Sequence, residues 1–266
     1  MTTEYDFSDI YVPTPLEVAR KMIKDSKKTI VSLDDYLVLR DISCVDADGT
    51  IFEEYPEIYI KKDVERNREN SLILNPYSAA VYFEQQGLFL PSFALSCNIV
   101  VTLYKNKINA DCKKILDQYK DHGAGHGWHA QNTLIDWEIN KIIHYPHDAD
   151  FPQSGGSNGI NQSQSRTSLD FNKKGISDMT LEKALKKPNF EKYIRNLTGL
   201  VDPSNLIRIG VYFGKTAYCW TSSSNETRAA WFGCINGSFN LVANYYLSSS
   251  IAGRGVRRGA PAGRAP

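Results

Sequence analysis

The segment from Ala229 to Gly253, AAWFGCINGSFNLVANYYLSSSIAG, contains no Asp, Glu, Lys, Arg or His, although 23% of the whole chain is charged. A surface strand normally carries Lys, Glu or Thr, and a buried strand carries little Ser and Asn. From Phe239 to Leu247 the odd positions are Phe, Leu, Ala, Tyr and Leu; the even positions from 238 to 248 are Ser, Asn, Val, Asn, Tyr and Ser. Successive strand side chains point to opposite faces, so the odd set is expected to face a core and the even set solvent. The outward set combines small hydroxyls and amides with Val and Tyr. Tyr gives rigid contact area, while Ser and Asn give adaptable hydrogen bonding. On spacing alone, an ordinary hairpin in a β-rich core reads equally well.

The run WTSSSNETRAAWFGCINGSFNL, continued through to AGRGVRR, resembles the variable region of proteins diversified by a retroelement. Their fold is similar to that of C-type lectins, in the branch shared with formylglycine-generating enzymes. In that family, template adenines are mutated, so asparagine codons become variable. Such codons end in C or T and cannot encode Met, Trp, Gln, Lys or Glu. The resemblance covers residues 217 to 257 and implies an α+β, C-type-lectin-like fold with a C-terminal variable region. It implies a ligand-contacting set of Tyr218, Cys219, Cys234, Ile235, Ser238, Val242, Tyr245, Tyr246, Ser248, Ser249, Ser250 and Ile251. At Tyr245 alternation and variability disagree, because alternation turns that ring inward. The implied constant frame is Trp220, Trp231, Gly233, Gly237, Phe239, Leu241 and Leu247. Upstream, Leu88-Phe89-Leu90-Pro91-Ser92 resembles the Leu-Pro-Thr element that opens a helix in this fold, with Ser in place of Thr. The whole is similar to archaeal-virus variable proteins. The implied activity is binding of a protein or cell-surface ligand, without catalysis, cofactor or metal. The exposed face should then tolerate change: replacing Ser238, Val242 and Tyr246 together by Asn is expected to leave stability nearly unaltered.

At 266 residues, the chain is long enough for one large domain or two small ones, and a single domain over 1–266 is expected. Its apolar share of 42% and aromatic share of 11% fit a globular protein. A formal charge of +1 gives no electrostatic case for nucleic acid. No apolar run is long enough to span a bilayer as a helix. The opening MTTEYDFSDIYVPTP has neither a basic n-region nor an apolar h-region, which leads to an expectation of synthesis in the cytoplasm without a signal peptide. Display on a virion or cell surface is compatible with the resemblance. The five cysteines, Cys44, Cys97, Cys112, Cys219 and Cys234, are odd in number and scattered, which favours reduced thiols.

Helix signals are clearest at caps. Thr14-Pro15-Leu16-Glu17 reads as a capping box, and Asn75-Pro76 opens a helix that ends near Gly87. Ser92 caps a helix to about Tyr104, and Ala110 to Tyr119 makes another. Thr180 begins a helix, Pro188 restarts one and Gly199 stops it. Thr29 to Phe52 reads as strands around a turn at Asp46-Ala47-Asp48-Gly49, with a further short strand at 57–61. The mixed-charge run 61–66 reads as a solvated face. Residues 121–132 read as loop, 133–139 as strand and 207–213 as strand. The polar stretch 152–169 reads as a mobile loop or insertion, and 258–266 as a disordered tail. Helices followed by a strand-rich C-terminus fit an α+β domain.

All five histidines, His122, His126, His129, His144 and His147, fall in one segment. Their alternative reading is a metal-dependent enzyme. Interleaved glycines place the first group on a loop, where spacing does not align the rings, and hydrogen-bonded or exposed histidines are the simpler reading. Cysteine oxidation through Cys219 and Cys234 would rest on fold analogy alone. Ser222, Ser223 and Ser224 have no base paired with them in sequence, so hydroxyls bonded to their own backbone are the simpler reading. Calcium-dependent sugar binding needs carboxylates that Ala229–Gly253 lacks; Asp46, Asp48, Asp148 and Asp150 read as turn residues. A third possibility is a structural virion or surface component that uses the C-terminus as an assembly interface.

Overall fold

The computed structural model describes residues 31–32, 34–64, 76–120, 129–145, 166–222, 224–235, 237–245 and 254–258. The Thr14 capping box, His122, His126, His147, Asp148 and Asp150 lie outside them, as do Tyr246, Ser248, Ser249, Ser250, Ile251 and the 258–266 tail beyond Arg258.

Helix and strand content are mixed, and the sheets are open, in keeping with an α+β class. Short strand β1 (Val31–Ser32), β2 (Tyr36–Val45), β3 (Ile51–Lys61) and the final strand β11 (Val256–Arg258) form one antiparallel sheet in the order β1-β2-β3-β11. The turn between β2 and β3 is held as expected: Asp46 Oδ1 accepts the N–H groups of Asp48 at 2.9 Å and Thr50 at 2.8 Å. The separate short strand expected at 57–61 is the second half of β3.

Helices α1 (Pro76–Glu84), α2 (Phe93–Lys105) and α3 (Ala110–Lys120) follow. Ser92 caps α2 by accepting the Leu95 N–H at 3.0 Å, as its sequence signal indicates. From Phe93 to Leu103 every residue of α2 is buried, so this helix is the axis of the main core. Next come β4 (His129–Asp136), β5 (Lys141–His144), β6 (Thr167–Asp170) and β7 (Met179–Thr180). Helices α4 (Leu181–Ala184), α5 (Pro188–Thr198) and α6 (Ser204–Tyr212) precede β8 (Thr216–Trp220), β9 (Thr227–Ile235) and β10 (Ser238–Tyr245). The second sheet runs β6-β5-β4-β9-β10-β8-β7, with β8 and β10 parallel and the other pairs antiparallel. Among the described residues no helix is long and apolar enough to cross a membrane.

Three local expectations are corrected. Residues 207–213 lie in and just after helix α6, not in a strand. Their I-R-I-G-V-Y-F alternation mimics a strand, yet Leu206, Ile209, Gly210 and Phe213 are buried at helical spacing. Residues 129–132 are strand rather than loop. Their polar groups are bonded from outside the sheet: Asn132 N–H donates to Pro91 O at 2.8 Å, and Gln131 Oε1 accepts the Ser96 hydroxyl of α2. The polar stretch 152–169 contains the start of β6 at its end, because Thr167 to Leu169 pair with His144 to Ile142.

Gly199 ends α5 at φ 59°. A Cβ there would lie 2.7 Å from Ala94 Cβ and 2.9 Å from Cys44 Cβ, so only glycine lets α5 end against α2 and β2. Its carbonyl accepts Val45 N–H and Asn98 Nδ2, both at 3.0 Å.

Candidate ligand-binding surface

Strand β10 lies between β9 and β8, and register fixes which side chains share a face. On β10, Phe239, Leu241 and Ala243 enter the main core, as the odd positions should. Opposite them in register, Cys234 on β9 and Ala217 and Cys219 on β8 join the same core. The even face corrects the expectation that it meets solvent. Val242, opposite Trp231, is only 2% exposed. The two pack with Ala79 and Phe83 of α1, Leu88, Leu90, Ala130 and Ala229 in a second core. The reason is sheet position: β10 is an interior strand, and α1 with the Leu88–Leu90 segment covers that part of its outer side. Asn240 on the same face is also buried, and accepts the Trp220 indole N–H at 2.8 Å.

The uncovered part of this face belongs to β8. Thr216, Tyr218 and Trp220 alternate outward beside Ser238, Asn240 and Val242 of β10. Trp220 is 39% exposed, among the few large apolar side chains at the surface of the described residues. Tyr218 is half-buried against it, with ring centroids 4.8 Å apart and planes inclined at 43°. Trp220 was expected inside the scaffold with Trp231; only Trp231 is buried. The missed signal is simple: two residues apart in a strand, Trp220 must share the face of Tyr218. The end of β8 is pinned by Asp178, whose Oδ1 accepts Thr221 N–H at 2.7 Å and its hydroxyl at 3.0 Å.

The other sequence-derived contact residues divide clearly. Ser238 is half-exposed at the start of β10. Ile235 ends β9 and Tyr245 ends β10, where Tyr245 pairs with Ala229 past a bulge. Cys219, Cys234 and Val242 are buried to within 1–2% of full burial, so in this structure they pack rather than present themselves to a ligand. Burial pushes the Cys234 thiol up to about 12, and raises Cys219 further with help from Asp178. Protonated thiols are poor nucleophiles. With β10 between them, the two cysteines are about 10 Å apart, too far for a disulfide. All five cysteines are buried and free.

The far end of the C-terminal segment is clamped. Arg254 is buried, donates to Lys62 O at 2.8 Å and to Lys61 O and Gln118 Oε1, and lies over the Tyr119 ring. Lys61 N–H donates to Gly255 O at 3.1 Å. A Cβ on Gly255 would approach Phe83 and Leu88 side-chain carbons to 2.7 Å. Val256 bridges to Phe89 and pairs with Ile60, and Arg257 lies between Tyr36 and Tyr59 at 4.9 and 4.7 Å from the ring centroids. The Arg254–Arg257 part of the closing frame and the Leu88–Ser92 element, both singled out in the sequence, therefore meet in space.

The histidines do not assemble with one another among the described residues. His129 is buried beside Tyr119, with ring centroids 4.4 Å apart. His144 Nε2 lies 2.9 Å from Asn196 O, an acceptor, so Nε2 carries the proton; Nδ1 then accepts from Thr133 Oγ1 at 2.9 Å. Burial lowers its pKa to about 4. Thr133 Oγ1 also accepts Phe93 N–H at 2.9 Å, and Asn196 bonds Ala47 N and Asp170 O. This neutral imidazole is a structural tie. No group of three His, Cys, Asp or Glu is placed to hold a metal ion among the described residues. Ser222 and Ser224 bond each other at 2.7 Å, and Ser224 Oγ accepts from Arg228, so these hydroxyls are engaged locally.

Compared with family models, curated proteins and solved structures, the chain matches none.

Proposed function

We propose that this chain is a binding protein: a C-type-lectin-like scaffold whose C-terminal surface is diversified by a retroelement to select a protein or cell-surface ligand. The observation that carries this reading is the Tyr218–Trp220 pair on the open part of the β8/β10 face. Large aromatic side chains with a polar tip dominate binding energy when a partner covers them. Ser238 and Thr216 add adaptable hydroxyls beside the rings. The chain that follows, which includes the uncharged run Ala229–Gly253, is anchored at Thr221 by Asp178 and at its far end by Arg254.

The contact set on this reading is Tyr218, Trp220 and Ser238, together with Ile235, Tyr245, Tyr246, Ser248, Ser249, Ser250 and Ile251. Cys219, Cys234 and Val242 act beneath it. A change there alters packing, and reaches the ligand only through the strands above.

The test is on DNA. Sequencing the locus around codons 217–257 should reveal a near-repeat that differs only at adenines, beside a reverse transcriptase. A locus without such a repeat would overturn the diversification reading and leave a fixed binding surface.

A further inference from the structure

A groove of about 690 Å³ lies between α3, the end of α6 and the start of β8. Among the described residues its walls carry Lys113, Lys114, Lys120 and Lys215 against one carboxylate, Asp117. In a chain with a formal charge of +1, that is a marked local excess.

Part of this charge is answered within the fold. Asp117 pairs with Lys113 one turn away, and its other oxygen accepts the Tyr212 hydroxyl at 3.5 Å. Both α3 and α6 end at the groove, and each C-terminus carries a partial charge of about −0.5, which together offset about one lysine. Lys114 reaches Asp63 at 3.7 Å, but both side chains are well exposed, so that pair is weak. Lys120 and Lys215 have no carboxylate partner among the described residues. About two positive charges therefore remain. They lie close to the β9 terminus: Lys215 and Lys120 both act to lower the Cys234 thiol, against the larger effect of burial.

The backbone around Lys215 is fixed. Lys215 N–H donates to Gly210 O at 2.8 Å and Thr216 N–H to Gly237 O at 3.3 Å, which holds the main chain that carries this lysine against the β9–β10 turn. Among the described residues no arginine lines the groove, so they offer no planar fork of the kind that suits a single carboxylate. Separated ammonium groups around a wide opening suit several anionic oxygens at once.

We propose that this groove binds a multiply charged oxyanion, the phosphate or sulfate ester groups of a ligand. The site lies outside residues 217–257 and does not depend on their being diversified. It would supply a constant, salt-sensitive contact next to the hairpin.

The experiment is calorimetric titration of the full chain, in separate arms, with sodium tripolyphosphate and with a fully sulfated disaccharide. Each is run at about 20 mM and about 200 mM NaCl, which bracket the Debye length of ~10 Å near 0.1 M. At least one probe should bind at low salt and weaken about tenfold at high salt, and the tighter probe identifies the ester. Lys120→Glu with Lys215→Glu should reduce affinity at least about tenfold. Lys120→Gln with Lys215→Gln keeps side-chain length, guards against misfolding, and should weaken binding by a smaller factor. No binding of either probe at low salt, or equal binding by parent and both double variants, would overturn the proposal.

Discussion

Strands β8 and β10 run in parallel, side by side, with matching alternation, yet they differ in what their outer faces do. On β10, Val242 and Asn240 are buried; on β8, Trp220 is 39% exposed and Tyr218 is half-buried. Beyond β8 lies only the two-residue β7, whereas β10 has β9 on its other side and α1 packed over its outer face. Alternation decides which residues share a face. It does not decide whether that face is covered; a helix more than a hundred residues earlier does that.

This contrast can be broken most sharply at its buried end. Trp231→Ala empties the second core, where the ring is fully buried against α1, and should cost about 4 kcal/mol in denaturant unfolding. Val242→Asn should cost about 3 kcal/mol, since it removes buried apolar surface and leaves an amide to be satisfied. The sequence pattern alone would have Val242 exposed and the same replacement neutral, so a change below about 0.5 kcal/mol would restore that reading.

On the opposite flank of the sheet, His144 gives a pH-dependent comparison. The fold holds the imidazole neutral, with a pKa near 4 against an ordinary 6.5. Its contribution is fully present above pH 6.5 and is lost as pH falls towards 4, reaching on the order of 3 kcal/mol. Unfolding measured across this range should show the loss, and His144→Gln should flatten it. An unchanged acid slope in that variant would remove His144 as the cause.

At the exposed end, Trp220→Ala should cost only about 1 kcal/mol in stability, mostly from the lost contact with Tyr218 and the bond to Asn240. Ser238→Asn should change stability by less than about 0.5 kcal/mol. A cost at Trp220 equal to that at Trp231 would erase the distinction between the two strands.

Much of the helical framework was readable because its signals are local. Pro76, Ser92, Pro188 and Gly199 each act within a turn of themselves, and each marks a real boundary. The start of strand β4 was hidden because Gln131 and Asn132 look like loop until their partners, Ser96, Pro91 and Tyr145, are known. Helix α6 was hidden because Arg208 and Gly210 impose an accidental period of two. For the binding surface, the frame reading puts Trp220 on the wrong side, and the alternation reading exposes Val242, which is buried. The last error has a non-local cause, the seating of α1. The Trp220 error was avoidable, because strand spacing ties it to Tyr218. The buried role of Arg254 could not be read from a Gly-Arg-Gly run, since its acceptors, Lys61 O and Lys62 O, stand 193 and 192 residues earlier in the chain.

The most direct test is a saturation library over codons 217–245, sorted only for folded protein on a display surface and then sequenced. Tyr218, Trp220 and Ser238 should accept most residues, while Trp231, Phe239, Leu241 and Val242 should accept few beyond apolar ones of similar volume. That outcome would establish a tolerant surface carried on an intolerant support, as a diversified binder requires. Equal intolerance at Tyr218, Trp220 and Ser238 would contradict it.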